Sequence, residues 1–269
     1  MRELCKLCLH CLPTRGGVRI PRPLGEAVHG TQRNEVLHMD YIYVMPEPQN
    51  GSHDFQWNLI LREDLTGMIK ITPAHTPNAM VTVEALMEWR ALFGSPQILV
   101  TDMASYFMSE VMGQYDRRCN MKHHMTVAYG HYNNGSIEVI NKNYLLLIRA
   151  LLSELRWDKH DWPYLNHNIE HTINHREQTR LNGNAPITVM MGLTPDNPLS
   201  DVFWHPGKRV FSESPLSKDK IKKCVTGLES ALQKMHREVQ DKSTKQRAQK
   251  RAHKDQFRRL PNFKSVITF

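Results

Sequence analysis

The chain has 269 residues, 40% of them hydrophobic, which suits one large domain or one domain with appendages and is enough for a core. No run approaches 18 apolar residues and residues 1–12 lack a long apolar stretch, so the sequence predicts no transmembrane helix, no signal peptide and no membrane partner. The net charge of +8 is uneven: residues 208–269 hold 17 Lys/Arg against 6 Asp/Glu (+11), which leaves −3 for residues 1–207. A basic tail suits a polyanion partner, and a solvated charged helix is an equally good interpretation.

The N-terminal residues contain a cysteine knuckle, CKLCLHC, followed by an irregular segment. Cys8 and Cys11 have the two-residue spacing with which two thiolates can reach one Zn²⁺, and Cys5 and Cys8 share that spacing, so the register stays open. The odd total of five cysteines, without a signal peptide, argues against a disulfide framework and fits a reducing, intracellular location. Residues 13–35, rich in Pro, Gly and Arg, predict a linker.

Three strands are predicted at the start of the core, at about Val36. The run LHMDYIYV is rich in β-formers and predicts a strand buried on both faces. Residues 55–64 and 67–74 predict two further strands, linked at Asp64–Gly67, which complete a meander.

Helices and strands then alternate. Residues 76–94 predict a helix with Thr76 or Asn78 as its N-cap and Gly94 at its end. A strand at 96–102, a short helix at 104–118 and a strand at 121–129 follow, and then two helices at 136–157 and 159–176. This order predicts an α/β sandwich.

A helical tail is predicted from Lys218. Apolar residues recur there at alternating spacings of four and three: Ile221, Val225, Leu228, Leu232, Met235 and Val239. This a/d pattern fits a coiled-coil dimer or a helix packed back on its own domain, and we expect the second. Beyond Val239 the sequence is polar and basic.

Three carboxylates stand in contexts where acids are unusual. Asp40 lies inside the first apolar run, Asp102 ends the run ILVTD, and Glu138 lies near the start of a helix, with 35 residues between the last two. Each has an ordinary alternative: a strand residue at a polar edge, a helix N-cap, or a favourable acid in a first helical turn. A buried carboxylate is costly unless a cation offsets it, and three that converge would bind hard divalent metals. Two such ions can drive phosphoryl transfer.

With this triad and its flanks, residues 5–200 resemble retroviral-type integrases, and most of all the integrases of Gypsy-type LTR retrotransposons. The resemblance implies a ribonuclease-H-like α/β fold, a mixed sheet flanked by helices, over residues 36–200. It implies 3′-end processing and strand transfer of DNA, with two Mg²⁺ or Mn²⁺ ions held by Asp40, Asp102 and Glu138. The expected partners are element ends and a target duplex, the expected assembly is a homo-oligomer, and the expected location is the nucleus.

The segment AYGHYNNGSIEVINKNY resembles the mobile loop that precedes the catalytic Glu in this family. Asn134 belongs to its turn, and Asn141 and Lys142 follow Glu138 on the same helix face. The resemblance assigns DNA contact to Lys142, and we group Asn141 and Asn134 with it. Since two-metal chemistry needs no added base, the nearby histidines are interpreted as surface or loop residues: His123, His124 and His131.

The chain also departs from the family pattern. Met103 and Ala104 replace a polar pair, Val139 replaces an Arg, and the loop sequence Gly130-His131-Tyr132 is altered. The knuckle resembles the second half of a His-His-Cys-Cys zinc module without its histidines, so residues 1–12 are interpreted as a remnant. Residues 201–269 resemble the basic connector that precedes a C-terminal barrel, and we expect the chain to stop short of that barrel.

Two alternatives stay open. One is a catalytically decayed, element-derived protein that binds nucleic acid. The other is a different nuclease of the same fold, which the 35-residue spacing disfavours.

Overall fold

The structure, a computed structural model, describes residues 28–44, 55–126, 135–195 and 218–256. The predictions for Cys8, Cys11, Asn134 and His131 lie outside these ranges. The chain divides into a unit of residues 27–243 and a second unit of residues 1–26 and 244–269. In the second unit the structure describes the end of one helix.

Five strands form one mixed sheet, in the order β3-β2-β1-β4-β5. The predicted meander is present: β1 (Val36–Tyr43), β2 (Trp57–Glu63) and β3 (Ile69–Ala74) pair antiparallel. On the other side of β1, β4 (Ile98–Thr101) and β5 (Lys122–Met125) pair parallel. The carboxyl ends of β1, β4 and β5 therefore lie at one end of the sheet.

The helices are listed here in chain order: α1 (Ala79–Phe93), α2 (Glu110–Cys119), α3 (Gly135–Leu155), α4 (Trp162–His175), α5 (Pro186–Met191) and α6 (Lys218–Gln256). Single 3₁₀ turns lie at Lys159–Asp161 and Thr179–Leu181. None of these described helices is both long enough and apolar enough to cross a bilayer.

Helices α1 and α2 begin at residues whose side chains cap them. The Asn78 side chain accepts a hydrogen bond from the Val81 amide, so Asn78 rather than Thr76 begins α1, and Gly94 ends it with a φ of 82°. The helix predicted at 104–118 is shorter, because Ser109 accepts from the Met112 amide and starts α2 at Glu110.

Two apolar clusters lie on opposite faces of the sheet. Odd-numbered β1 residues such as Met39 and Tyr41 pack with Trp89 of α1 and Met112 of α2. On the other face, Ile42 and Ile60 pack with Tyr144 of α3 and Ile169 of α4. Side chains alternate along a strand, so Asp40 lies on the α3 face. The result is a three-layer α/β sandwich with helices on both faces.

Helix α6 packs back on the domain by the later part of its a/d pattern. Val239 is fully buried with Leu65, Leu181 and Val189, and His236 Nε2 lies 2.7 Å from the Val189 carbonyl oxygen. The earlier Val225 and Leu228 are about half exposed, at 50% and 49%. The expectation of a helix packed on its own domain is confirmed from Leu232 to Val239.

Candidate active site

The strand register brings Asp40 and Asp102 side by side. His38 of β1 pairs with Val100 of the parallel strand β4. The same register continued by two residues aligns Asp40 with Asp102, which directly follows β4. Neither aspartate could reach the other in an antiparallel arrangement of these strands, because the carboxyl end of β4 would then lie at the far end of β1.

Helix α3 supplies the third carboxylate and an amide. Glu138 lies in the first turn of α3, and Asn141 follows one turn later. Asn141 Nδ2 donates to Asp40 Oδ2 at 2.8 Å. The Asn141 residue is only 8% exposed, and its buried Oδ1 has no hydrogen-bond partner within the described ranges. The residue grouped with the DNA contacts from sequence therefore points at a candidate catalytic carboxylate.

The pKa of Asp40 is raised mainly by burial and also by two neighbouring acids. Burial raises it, and the charges of Asp102 and Glu138 raise it further, to about 6 from an ordinary 3.8. The hydrogen bonds from Asn141 and the Tyr41 backbone act in the opposite direction. Asp102 and Glu138 therefore both lie near enough to Asp40 for their charges to oppose its ionisation.

The donor set of this site suits a hard divalent cation. It offers three carboxylates and the unsatisfied Oδ1 of Asn141, all oxygen donors of the kind that Mg²⁺ and Mn²⁺ prefer. Across residues 28–44, 55–126, 135–195 and 218–256, no three His, Cys, Asp or Glu side chains stand close enough to hold an ion as placed. Mutual repulsion spreads carboxylates, and a cation between them would offset it.

Asp102 is fixed by its own turn. The Ala104 amide donates to Asp102 Oδ1 at 3.1 Å. The alternative that Asp102 is an N-cap is wrong, since α2 is capped by Ser109. Tyr106 stands beside the site: burial, followed by the charges of Asp102 and Asp40, raises the pKa of its phenol. Its ring packs edge-on against Tyr41, with centroids 5.0 Å apart.

The remaining residues of the site face solvent. Lys142, predicted to contact DNA, is exposed on α3 next to the buried Asn141. Met103 and Val139, which replace polar residues of the family pattern, are also exposed beside Asp102 and Glu138. The chain neighbours of Asp102, Glu138 and Asn141 are therefore accessible to solvent.

One histidine was interpreted wrongly from sequence. The side chain of His123 is only 9% exposed, and both ring nitrogens make hydrogen bonds. Strand β5 has only four residues, which is too short to show an alternation of apolar and polar side chains. Sequence alone therefore could not indicate which of its histidines is buried.

No family model matches the chain. It is 21% identical over 150 residues, 56% of its length, to the Pro-Pol polyprotein of simian foamy virus type 3 (strain LK3). The chain spans only 13% of that polyprotein.

Solved structures are similar in fold. The simian T-cell lymphotropic virus intasome in complex with PP2A regulatory subunit B56 gamma matches with a TM-score of 0.56 and 14% identity, over 73% of this chain and 67% of that one. The HTLV-2 integrase catalytic core domain in complex with magnesium, in its trimeric form, has a TM-score of 0.47 and 13% identity, over 60% and 97%. The likeness to the intasome chain confirms the ribonuclease-H-like fold, and the chain is similar to retroviral integrase cores.

Proposed function

We propose that this chain is the catalytic core of a Gypsy-type LTR retrotransposon integrase, which processes DNA 3′ ends and joins them to a target duplex. The observation that supports the proposal is geometric: the parallel register of β1 and β4 aligns Asp40 with Asp102, and Asn141, one turn after Glu138 on α3, donates a hydrogen bond to Asp40. A dyad of aspartates on adjacent parallel strands, joined by a glutamate from a helix, provides what phosphoryl transfer on DNA needs.

The side chains of this site divide the work. Asp40, Asp102 and Glu138 would hold two Mg²⁺ or Mn²⁺ ions, which would lower the pKa of the attacking water or 3′-hydroxyl and stabilise the leaving oxygen. Asn141 holds Asp40 through its amide, and the Ala104 backbone amide holds one oxygen of Asp102. These hydrogen bonds keep both aspartates oriented while their charges repel each other.

Basic residues would hold the DNA. Lys142 is exposed one helical turn after Glu138, within reach of a phosphate next to the reacting bond. The +11 of residues 208–269 against −3 for the remainder makes the tail the main source of affinity for phosphate. We further propose that the protein acts as a homo-oligomer in the nucleus.

We propose a domain assignment together with this function. Residues 36–200 form the catalytic core, 13–35 the linker and 201–269 the basic connector. Residues 1–12 are a zinc-module remnant in which Cys8 and Cys11 are the candidate ligands.

The test uses two glutamates of the same helix. The purified full chain is incubated with labelled blunt duplex DNA and Mg²⁺ or Mn²⁺, and strand-transfer products are separated by size. We expect products from the wild type and from Glu154→Gln, an exposed position on α3, and none from Glu138→Gln. Metal-dependent products from Glu138→Gln would contradict the assignment of the third carboxylate.

A second candidate is a protein that binds DNA without catalysis. The exposed apolar side chains of Met103 and Val139, beside two of the carboxylates, favour it, because DNA-facing positions next to a reacting phosphate are ordinarily polar. In the same assay this candidate predicts salt-sensitive DNA binding and no products with either metal.

A further inference from the structure

The solvent side of helix α3 carries a basic stripe that starts next to Glu138. It consists of five exposed residues that follow one another at spacings of three and four: Val139, Lys142, Leu146, Arg149 and Ser153. An α-helix turns by about 100° per residue, so residues seven apart lie within about 20° of each other around its axis. Lys142 and Arg149 therefore lie on the same side of α3.

No acid interrupts this basic stripe. The opposite side of α3 is buried against the sheet and α4 through Tyr144 and Ile148. The exposed Glu154 lies about 140° from Arg149 around the helix axis. Neither Lys142 nor Arg149 makes an ion pair or a hydrogen bond with any residue that the structure describes. The two cations are thus available to an anion that lies along the stripe.

The spacing of the two cations suits a nucleic-acid backbone. Seven residues of an α-helix rise by about 10.5 Å. The phosphates of one strand of duplex DNA follow one another every 3.4 Å or about that along the duplex axis, so this rise spans about three base steps. A duplex laid along α3 therefore offers Lys142 and Arg149 a separate phosphate each.

The charges around the site make such cations useful. Asp40, Asp102 and Glu138 repel phosphate, and residues 1–207 carry a net charge of −3. Lys142 lies one helical turn, about 6 Å of rise, from Glu138, which is inside the Debye length of about 8 Å at physiological salt. Cations on this helix therefore offset the repulsion where the DNA has to approach.

The apolar members of the stripe suit the same partner. Val139 and Leu146 are 55% and 65% exposed, and they lie on either side of Lys142 along the helix. The sugars between the phosphates of DNA present C–H groups. A duplex on the stripe would therefore remove both side chains from water while its phosphates meet the cations.

We infer that the basic stripe binds the backbone of the DNA duplex beside the reacting phosphate, with Arg149 as a second phosphate contact beyond Lys142. The inference rests on the proposed function, because that function brings DNA to Glu138. Arg149 is eleven residues from Glu138, about 16.5 Å of helix rise, so it binds substrate and takes no part in the chemistry. The duplex leaves the site along α3.

The salt dependence of DNA binding tests this inference. The affinity of the metal-free full chain for a blunt duplex is measured at several concentrations of monovalent salt. Each lost phosphate contact flattens the slope of log K against log salt by roughly 0.9, which corresponds to about eightfold weaker binding at 0.1 M salt. Arg149→Gln should show this change. The double variant Lys142→Gln/Arg149→Gln should show about twice the change in slope, because each cation meets its own phosphate.

Arg118 provides the matched control. It is exposed on α2, which packs on the other face of the sheet, so Arg118→Gln makes the same change of charge away from the stripe. We expect Arg118→Gln to bind with the slope of the wild type. An unchanged slope in Arg149→Gln, or an equal change in Arg118→Gln, would overturn the inference.

Strand-transfer reactions separate this inference from the proposed function. If the wild type forms products, Arg149→Gln should need about eightfold more DNA for its half-maximal rate, whereas Glu138→Gln should form none at any DNA concentration. An unchanged DNA requirement in Arg149→Gln would overturn the contact beside the site. If the wild type forms no products, the proposed function fails, and the salt slopes still decide whether α3 binds DNA.

Discussion

Replacing Asp40 with asparagine should stabilise the metal-free protein. Burial and the charges of Asp102 and Glu138 raise the pKa of Asp40 to about 6, against an ordinary 3.8. An acid whose pKa is raised by folding binds its proton more tightly in the folded state, so the free energy of unfolding falls as the pH rises from about 4 to about 6. Asparagine is neutral at every pH and keeps an oxygen for the amide of Asn141.

The size of the effect follows from the pKa. At 1.36 kcal/mol per pH unit, the raised value corresponds to about 3 kcal/mol above pH 6. Asp40 is partly exposed, and solvent screening makes this an upper value. In a protein of this size, 1 kcal/mol changes Tm by about 2–4 °C, so Asp40→Asn should melt up to roughly 10 °C higher at neutral pH. The difference should vanish below about pH 4, where Asp40 is protonated in both states.

Thermal melts with a chelator, at several pH values from 4 to 8, measure this directly. Glu154→Gln, which removes an exposed charge from α3, is the control and should change Tm little. Added Mg²⁺ should then raise Tm in the wild type more than in Asp40→Asn, because binding to the native state alone stabilises it. The reasoning is refuted if Asp40→Asn melts no higher than the wild type at neutral pH. It is also refuted if the difference in Tm between the two proteins is as large at pH 4 as at neutral pH.

Three further predictions concern the fold and the tail. Val239→Ala should lower the free energy of unfolding by about 1–3 kcal/mol, because Val239 is fully buried. Val225→Ala on the same helix should change it by less than about 0.5 kcal/mol in denaturant titrations, since Val225 is half exposed. Burial raises the pKa of Glu63 to about 7 from an ordinary 4.5, so the free energy of unfolding of the wild type should fall as the pH rises over that interval. Glu63→Gln should show no such fall, and a comparison of the two proteins across this pH range measures the difference. Deleting residues 244–269 should flatten the slope of log K against log salt for duplex DNA by roughly 0.9 for each phosphate that the tail neutralises. An unchanged slope would show that the DNA-binding surface lies outside these residues.

Local patterns predicted the sheet well. The β1–β3 meander and α1 follow from β-rich runs, a turn at Gly67 with a φ of 75°, and the Asn78 cap. Asp102 at the end of an apolar run predicted a strand end, and the parallel register then aligns it with Asp40. The metal assignment of the triad stays a prediction.

What sequence could not predict depends on tertiary contacts. Helix α5, six residues long, is too short to show a helical period, and it was missed. The burial of His123 depends on Asp116 of α2 and on Thr101 of β4, which lie close only after the sheet and α2 have packed. The direction of Asn141 likewise depends on how α3 lies across β1.

The order of strands in the sheet also bears on how the protein folds. Strands β1, β2 and β3 follow one another directly in the chain, whereas β1 and β4 pair in parallel although Asp40 and Asp102 are 62 residues apart. Contacts between distant segments form late, because closing a long loop costs entropy before the contact contributes. We therefore expect hydrogen-exchange protection during refolding to reach the β1–β3 meander before β4. The three carboxylates would then meet only near the end of folding, so a chain emerging from the ribosome carries no assembled site until α3 has also docked.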